Sequence, residues 1–442
     1  MNLTDRGMAL GLRALNRFAG LEVIDRIGAR GPSERVVRVA AQRGFQAAST
    51  IGRTFQPRSG GGQAARLQPD RRAAGQFDLT PTDEQEMIRD AARDFGATEL
   101  RPAALQADTD GRTPDGLLAR STEIGTTMLG VPEAHGGAVE ERSAVTSVLL
   151  AEALAHGDLG LAFAVLAPAA VSTAVGLWGD ADQQATYLPA FVGEDVPAAA
   201  LAVQEPRPLF DPFALETTAT RDGEDWVLTG LKSLVPHATA AELFVIAARI
   251  EGDGDPRPGL FLVEATAAGL LAAPEPAMGL RAAATGSLLL QDVRLPAGAL
   301  LGGGDPAVYA EAIRLGRVAW AALATGTAQA ALDYVIPYVN ERHAFGEPVS
   351  HRQGVAFSVS NMAIDLESLR LTTLRAASRA DQGLSFARES ALARRLTADK
   401  GNDIGSQAVQ MLGGHGYVKD HPVERWYRDL RSAGVMEGAL LV

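Results

Sequence analysis

The residues best suited to chemistry lie mostly in the C-terminal part of the 442-residue chain. Glu437 occupies Gly434-Val435-Met436-Glu437-Gly438-Ala439, a stretch with no other charge. Burial of a carboxylate in such surroundings raises its pKa and lets it accept a proton near neutral pH. The plainer alternative is a solvated side chain near the end of the sequence. Arg342 can grip an anionic diphosphate through two parallel hydrogen bonds. Gly413, Gly414 and Gly416 describe a tight turn after a helix. The seven histidines lack metal-ligand spacing; His415 and His421 are too far apart for one helical face. Without cysteine there is no disulfide and no thiolate ligand, which fits a cytoplasmic protein. Neither a metal nor a nucleic-acid partner is expected.

The elements that must hold these residues fall into an α+β, three-part arrangement. Leu79-Thr80-Pro81-Thr82-Asp83 starts a helix, with Thr80 as cap and Pro81 in the first turn. From there to about Leu188 the pattern is helical, broken by a loop at Gly130–Gly137. Between Ala199 and Leu300 the period shortens. Thr218 to Leu228 alternates about Asp222-Gly223, a hairpin, and Leu243–Ala248, Leu260–Val263 and Ser287–Leu295 are further strands. Beyond Gly304 long helices return, over about 307–341, 353–382 and 385–412, with a short one near Glu424–Arg431, and form a bundle. The domains expected are residues 77–197, helical; 198–303, β; and 304–442, helical bundle.

Residues 1–76 stand apart. They carry thirteen arginines against three aspartates and two glutamates, a net charge of +8, in a chain whose total is −12. Residues 3–50 read as helical, and 57–76, rich in Gly and Pro, as a linker. Two readings are open: a membrane-surface or partner-docking segment, or a helical pair packed on the body. No secretory signal is apparent, and no run of eighteen apolar residues occurs.

Six signatures in order carry a resemblance to the acyl-CoA dehydrogenase family over residues 79–442. They are Gly130-Val131-Pro132-Glu133-Ala134-His135-Gly136-Gly137; Tyr187-Leu188-Pro189 with Gly193-Glu194; Gln204-Glu205-Pro206 closing at Asp211; Glu341-Arg342 with Phe345-Gly346 and Gln353; Gln410-Met411-Leu412-Gly413-Gly414-His415-Gly416-Tyr417; and Arg428-Asp429 before Glu437-Gly438. The resemblance implies an N-terminal helical domain, a middle β domain and a C-terminal bundle. It implies FAD-dependent α,β-dehydrogenation of an acyl-CoA, with Glu437 as the α-proton base and Arg281 beside it. Val203, Gln204, Arg342, Phe345, Val349, Gln353, Gln410 and Gly414 then face FAD, and Arg317 lies near the CoA entrance. The implied partners are an electron-transfer acceptor and a homo-oligomer, or a hetro-oligomer with a related chain, in which FAD sites are completed across subunits. Peripheral membrane contact, if any, falls to residues 1–50.

The departures from the family pattern cluster at the flavin ring. Gln204 replaces a Thr, Arg207-Pro208-Leu209-Phe210 replaces Gly-Ala-Gly-Ser, Leu234-Val235-Pro236 replaces Trp-Ile-Thr, and Ala439 replaces a Thr. The dinucleotide half of the site is kept while stacking and hydroxyl contacts to the ring are lost. Two accounts follow: an enzyme with a rebuilt flavin pocket, or a divergent acyl-CoA-binding or partner subunit with weak or no catalysis.

Overall fold

A computed structural model describes residues 79–137, 142–193, 195–252 and 254–442. The readings of residues 1–76 and of Glu194 lie outside the described residues.

The helical part comprises α1 (Asp83–Phe95), α2 (Arg101–Asp110), α3 (Leu117–Thr122), α4 (Ala144–Gly157), α5 (Leu159–Trp178) and α6 (Ala181–Tyr187). The cap of α1 differs from the sequence expectation: it is Thr82, not Thr80. The Thr82 hydroxyl accepts from Gln85 N while the Gln85 side chain accepts from Thr82 N. This reciprocal capping box satisfies two otherwise orphaned donors, which a lone hydroxyl at Thr80 could not do. Helix α5 is long and apolar enough to cross a membrane by length and composition, although Pro168 and small polar residues interrupt its apolar run. Here every residue from Leu159 to Val175 is buried, so α5 is the central core helix of this part.

The sheet contains β1 (Ala199–Ala202), β2 (Thr218–Asp222), β3 (Asp225–Val235), β4 (Leu243–Glu251), β5 (Arg257–Glu264), β6 (Leu270–Pro274) and β7 (Gly286–Leu295). The Asp222-Gly223 turn is as expected: Asp222 pairs with Asp225 across an antiparallel hairpin. Strand β4 carries β1 and then β2 in parallel along one edge and β5 antiparallel along the other. The order continues β2-β3-β7-β6. One face holds a separate core in which Trp226 packs edge-on against Phe261.

The last part holds α7 (Pro306–Glu341), the small hairpin β8 (His343–Ala344) and β9 (Glu347–Pro348), α8 (Gln353–Asp381), α9 (Ala387–Leu396), α10 (Asn402–Leu412) and α11 (Val423–Ala433). The helix expected over 385–412 is α9 and α10 joined by a π turn at Thr397–Gly401. Helix α7 has 36 residues, hence a length of about 54 Å. It forms the spine of the bundle and packs against α4, α8, α9, α10 and α11.

Candidate active site at the end of the last helix

The segment after α11 turns back into the protein. Gly434 N donates to Leu430 O, and both Val435 N and Met436 N donate to Ser432 O, which ends the helix in a tight elbow. Gly438 follows at φ +68°. A Cβ there would come within 2.4 Å of the Val203 side chain, so glycine is required both for the backbone angle and for the fit. Trp320 Nε1, from α7, donates to Gly438 O at 2.7 Å. The elbow is thereby pinned between the end of β1 and the middle of α7.

This geometry buries Glu437 to 6% exposure. The burial matches the sequence expectation; the uncharged surroundings do not. Arg317 on α7 makes a two-pronged pair, Nε to Oε2 at 2.9 Å and Nη2 to Oε1 at 3.1 Å. Arg394 on α9 adds Nε to Oε1 at 3.0 Å and also donates through Nη1 to Gly434 O. The sequence neighbours of Glu437 are neutral, but the charges facing it come from other helices, invisible to a local reading. Gln204, just past β1, accepts from Glu437 N through Oε1 at 3.2 Å. Tyr309 of α7, fully enclosed, is pushed well up by burial first and then by Glu205 and Glu437.

Behind Gln204 lies a buried ion pair. Lys232 Nζ meets Glu205 Oε1 at 2.9 Å and Val203 O at 3.3 Å. Burial pulls the Lys232 ammonium down to about 8 against the opposing pull of Glu205. Burial would push the Glu205 carboxyl up, but Lys232 and the backbone N–H groups of Glu216 and Thr217 hold it below the usual range. The pair is therefore ionised at neutral pH and anchors the chain at Val203 and Gln204.

Arg281 opens the short turn Arg281–Ala283 and is half-buried. Among the described residues it makes no ion pair. The carboxylate partners are instead Arg317, expected at the CoA entrance, and Arg394, which the sequence reading missed. The loop carrying Arg281 is nevertheless tied to the helix that leads to Glu437. Leu280 N donates to Asp429 Oδ1 at 2.7 Å, and Arg428 Nη1 donates to Met278 O at 3.0 Å. Arg428 also grips Asp108 of α2 with two hydrogen bonds of 2.8 Å. Asp429, fully buried near Asp158, has its carboxyl raised to about 7 by burial first and then by that neighbouring charge.

The residues expected at the cofactor tail sit elsewhere. Arg342 caps the C-terminal end of α7 and is exposed, with no ion pair among the described residues. Phe345, at φ +56°, is 96% exposed at the tip of the β8–β9 hairpin, with the Arg352 guanidinium over its ring. Val349 opens the short turn Val349–His351, and Gln353 begins α8. Arg342 at the end of α7 and the exposed Phe345 ring in the hairpin that follows are groups of the kinds that suit the phosphate and the adenine of a dinucleotide. Gln410 lines a cavity of about 370 Å3 with Met278, Tyr417, Tyr427 and Arg428, and Gly414 is exposed in the adjoining turn. His415 and His421, six positions apart, stack at 5.1 Å, with Tyr338 and Tyr334 holding their Nδ1 atoms. Of the aromatic residues near the altered ring contacts, Trp226 is committed to the sheet core at 1% exposure, and Phe210 lies under the Arg207 guanidinium. Leu234 is half-buried, with its N–H donated to Glu275.

A buried carboxylate at the junction of a mixed sheet and a helical bundle, with a separate arginine-bearing hairpin, defines the helical–β–helical class that the sequence resembles. Comparison with known proteins agrees over the whole described region. The acyl-CoA dehydrogenase N-terminal, middle and C-terminal domain families match residues 82–195, 200–293 and 307–440. The short-chain specific acyl-CoA dehydrogenase, mitochondrial, of Rattus norvegicus is 33% identical over 362 residues, covering 80% of this chain and 86% of its own. The acryloyl-CoA reductase (NADH) of Anaerotignum propionicum is 32% identical, covering 82% and 93%. The structure of butyryl-CoA dehydrogenase from Megasphaera elsdenii superposes with a TM-score of 0.75 at 28% identity, covering 82% of this chain and 96% of the other. The chain belongs to the acyl-CoA dehydrogenase family.

Proposed function

We propose that this protein desaturates the Cα–Cβ bond of an acyl-CoA thioester, with Glu437 taking the α-proton. The chain is a flavin oxidoreductase by family, and short acyl groups are the first substrates to try, given the names of its relatives. FAD, when bound, supplies the acceptor for the hydride that leaves Cβ. The observation that carries the proposal is the buried, oriented carboxylate of Glu437. A carboxylate offers about four acceptor positions. Arg317 and Arg394 together take two on Oε1 and one on Oε2. The remaining position, on Oε2, receives the proton. Gln204 fixes the backbone of the base and keeps its own amide NH2 for a flavin edge.

Arg342, Phe345, Val349, Gln353, Gln410 and Gly414 hold the dinucleotide tail in this reading, Val203 and Gln204 serve the ring, and Arg281 completes the acyl side. Arg317 and Arg342 lie 25 positions apart on or at the end of one helix, about 37 Å at the α-helical rise. That span exceeds a small domain, so the tail residues of one chain serve the flavin of another. An oligomer of this chain or a related one, and an electron-transfer acceptor, complete the reading. The direct test is Glu437→Gln, which removes the base and keeps the shape of the side chain and one acceptor oxygen, the NH2 being unable to accept from an arginine. Turnover of a responsive acyl-CoA should fall by about 10²–10⁴-fold with acyl-CoA binding retained. Near-normal turnover would sink the assignment.

A further inference from the structure

The elbow that presents Glu437 spans only four residues from Gly434, and one side chain touches both its ends. Arg394 Nε meets Glu437 Oε1 at 3.0 Å while its Nη1 reaches Gly434 O. Arg317, though two-pronged on the carboxylate, makes no contact with Gly434 among the described residues. Arg394 sits on α9, whereas Arg317 sits on α7, so the two cations fix the carboxylate from different elements. The guanidinium of Arg394 is mostly enclosed, its side chain 19% exposed, which keeps the strap from being dissolved by solvent.

We propose that Arg394 is a positioning residue for the base: it straps the Gly434–Glu437 elbow and saturates Oε1, so that Oε2 alone is presented to the α-proton. The inference rests on the reading of Glu437 as base, and deepens it. A planar guanidinium can bridge a carboxylate and a carbonyl at once, because its donors point along fixed, divergent directions. Lysine keeps the charge as a single compact donor group. The other groups facing Glu437 are Arg317 and Tyr309 of α7 and Gln204 beyond β1. Glu205 lies behind Gln204, paired to Lys232. With Arg317 left in place, loss of Arg394 removes one of two cations and, among the described residues, the side-chain tether to Gly434 O.

The experiment compares wild type, Arg394→Met, Arg394→Lys and Glu437→Gln as FAD-loaded full chains, with butyryl-CoA as probe. Flavin bleaching is followed without oxygen, alongside KM, FAD content and melting temperature. Arg394→Met should lower kcat by about 10–100-fold, the scale of a misplaced catalytic group, with KM changed less than about threefold. Arg394→Lys should recover only part of the rate, separating charge from strapping. Should Arg394→Met not fold, Arg394→Gln serves as the neutral variant. An Arg394→Met kcat within twofold of wild type would overturn the proposal. So would an Arg394→Lys protein no better than Arg394→Met at equal FAD content and melting temperature. A wild type that never bleaches, matched by Glu437→Gln, refutes the reading of the base and this inference with it. An active wild type with an indifferent Arg394 refutes the inference alone.

Discussion

Asp429, on the helix that leads to Glu437, ties the Arg281 loop to that helix through Leu280 N. Its carboxyl is raised to about 7 by burial and by Asp158, against an ordinary value near ~3.9 in an unfolded chain. The folded protein therefore binds more protons than the unfolded chain between about pH 4 and pH 7, and this group's contribution to stability falls as pH rises through that window. Asp429→Asn keeps an acceptor for Leu280 N but cannot ionise. Its melting temperature relative to wild type should climb from pH 5 to pH 8; a difference that stays constant would show that Asp429 is not the titrating group. The burial of Glu437 was legible in the sequence through its neutral neighbours and its spacing from Arg428-Asp429. Its two arginine partners were not. Arg394 and Arg395 are adjacent and chemically identical, yet one side chain is 19% exposed and the other 74%. Only the packing of α9 against α7 decides which turns inward.

At the scale of elements, helices were easier to read than strands. The long α7 and α8 announce themselves by length, and the β2–β3 hairpin by Asp222-Gly223. The strands β1, Ala-Ala-Leu-Ala and buried throughout, and β6, Leu-Leu-Ala-Ala-Pro and mostly exposed, show no alternation and were missed. Their pairing partners define them, and pairing is a long-range fact. Close approach between helices is likewise hidden in single glycines. Gly326 of α7 faces α4, and a Cβ there would lie 2.0 Å from Glu152 O. Alanine ordinarily gains about 1 kcal/mol over glycine within a helix. Overpacking costs about 1–3 kcal/mol, and the contact is with backbone, which cannot rotate away. Gly326→Ala should therefore lower the melting temperature despite its better helix propensity. A rise would mean that α4 and α7 can separate without penalty.

For the whole molecule, the separation between Glu437 and Arg342 predicts complementation. Glu437→Gln and Arg342→Ala chains, each weak alone, should regain activity when unfolded and refolded together, because mixed assemblies contain sites with both residues intact. No gain over the separate variants would place both residues at one chain's flavin. The altered ring contacts bear on the same assembly. A lost stacking ring forgoes about 0.5–1.5 kcal/mol, and each of the hydroxyls absent at Phe210, Pro236 and Ala439 about 0.5–1.5 kcal/mol. Trp226 and Phe210 are occupied by other packing, so the protein should purify with less than one FAD per chain and melt higher when FAD is added. Full, dialysis-resistant occupancy would mean that other contacts compensate.

The account turns on Glu437 removing a proton from an acyl thioester, and one measurement addresses it directly. FAD-loaded protein is mixed with butyryl-CoA in the absence of oxygen, and the flavin absorbance is followed for wild type and Glu437→Gln at equal FAD content. Wild type should bleach, and Glu437→Gln should bleach at least about a hundredfold more slowly while still binding the ligand. Equal rates in the two proteins, or bound butyryl-CoA that leaves the wild-type flavin fully oxidised, would contradict the account.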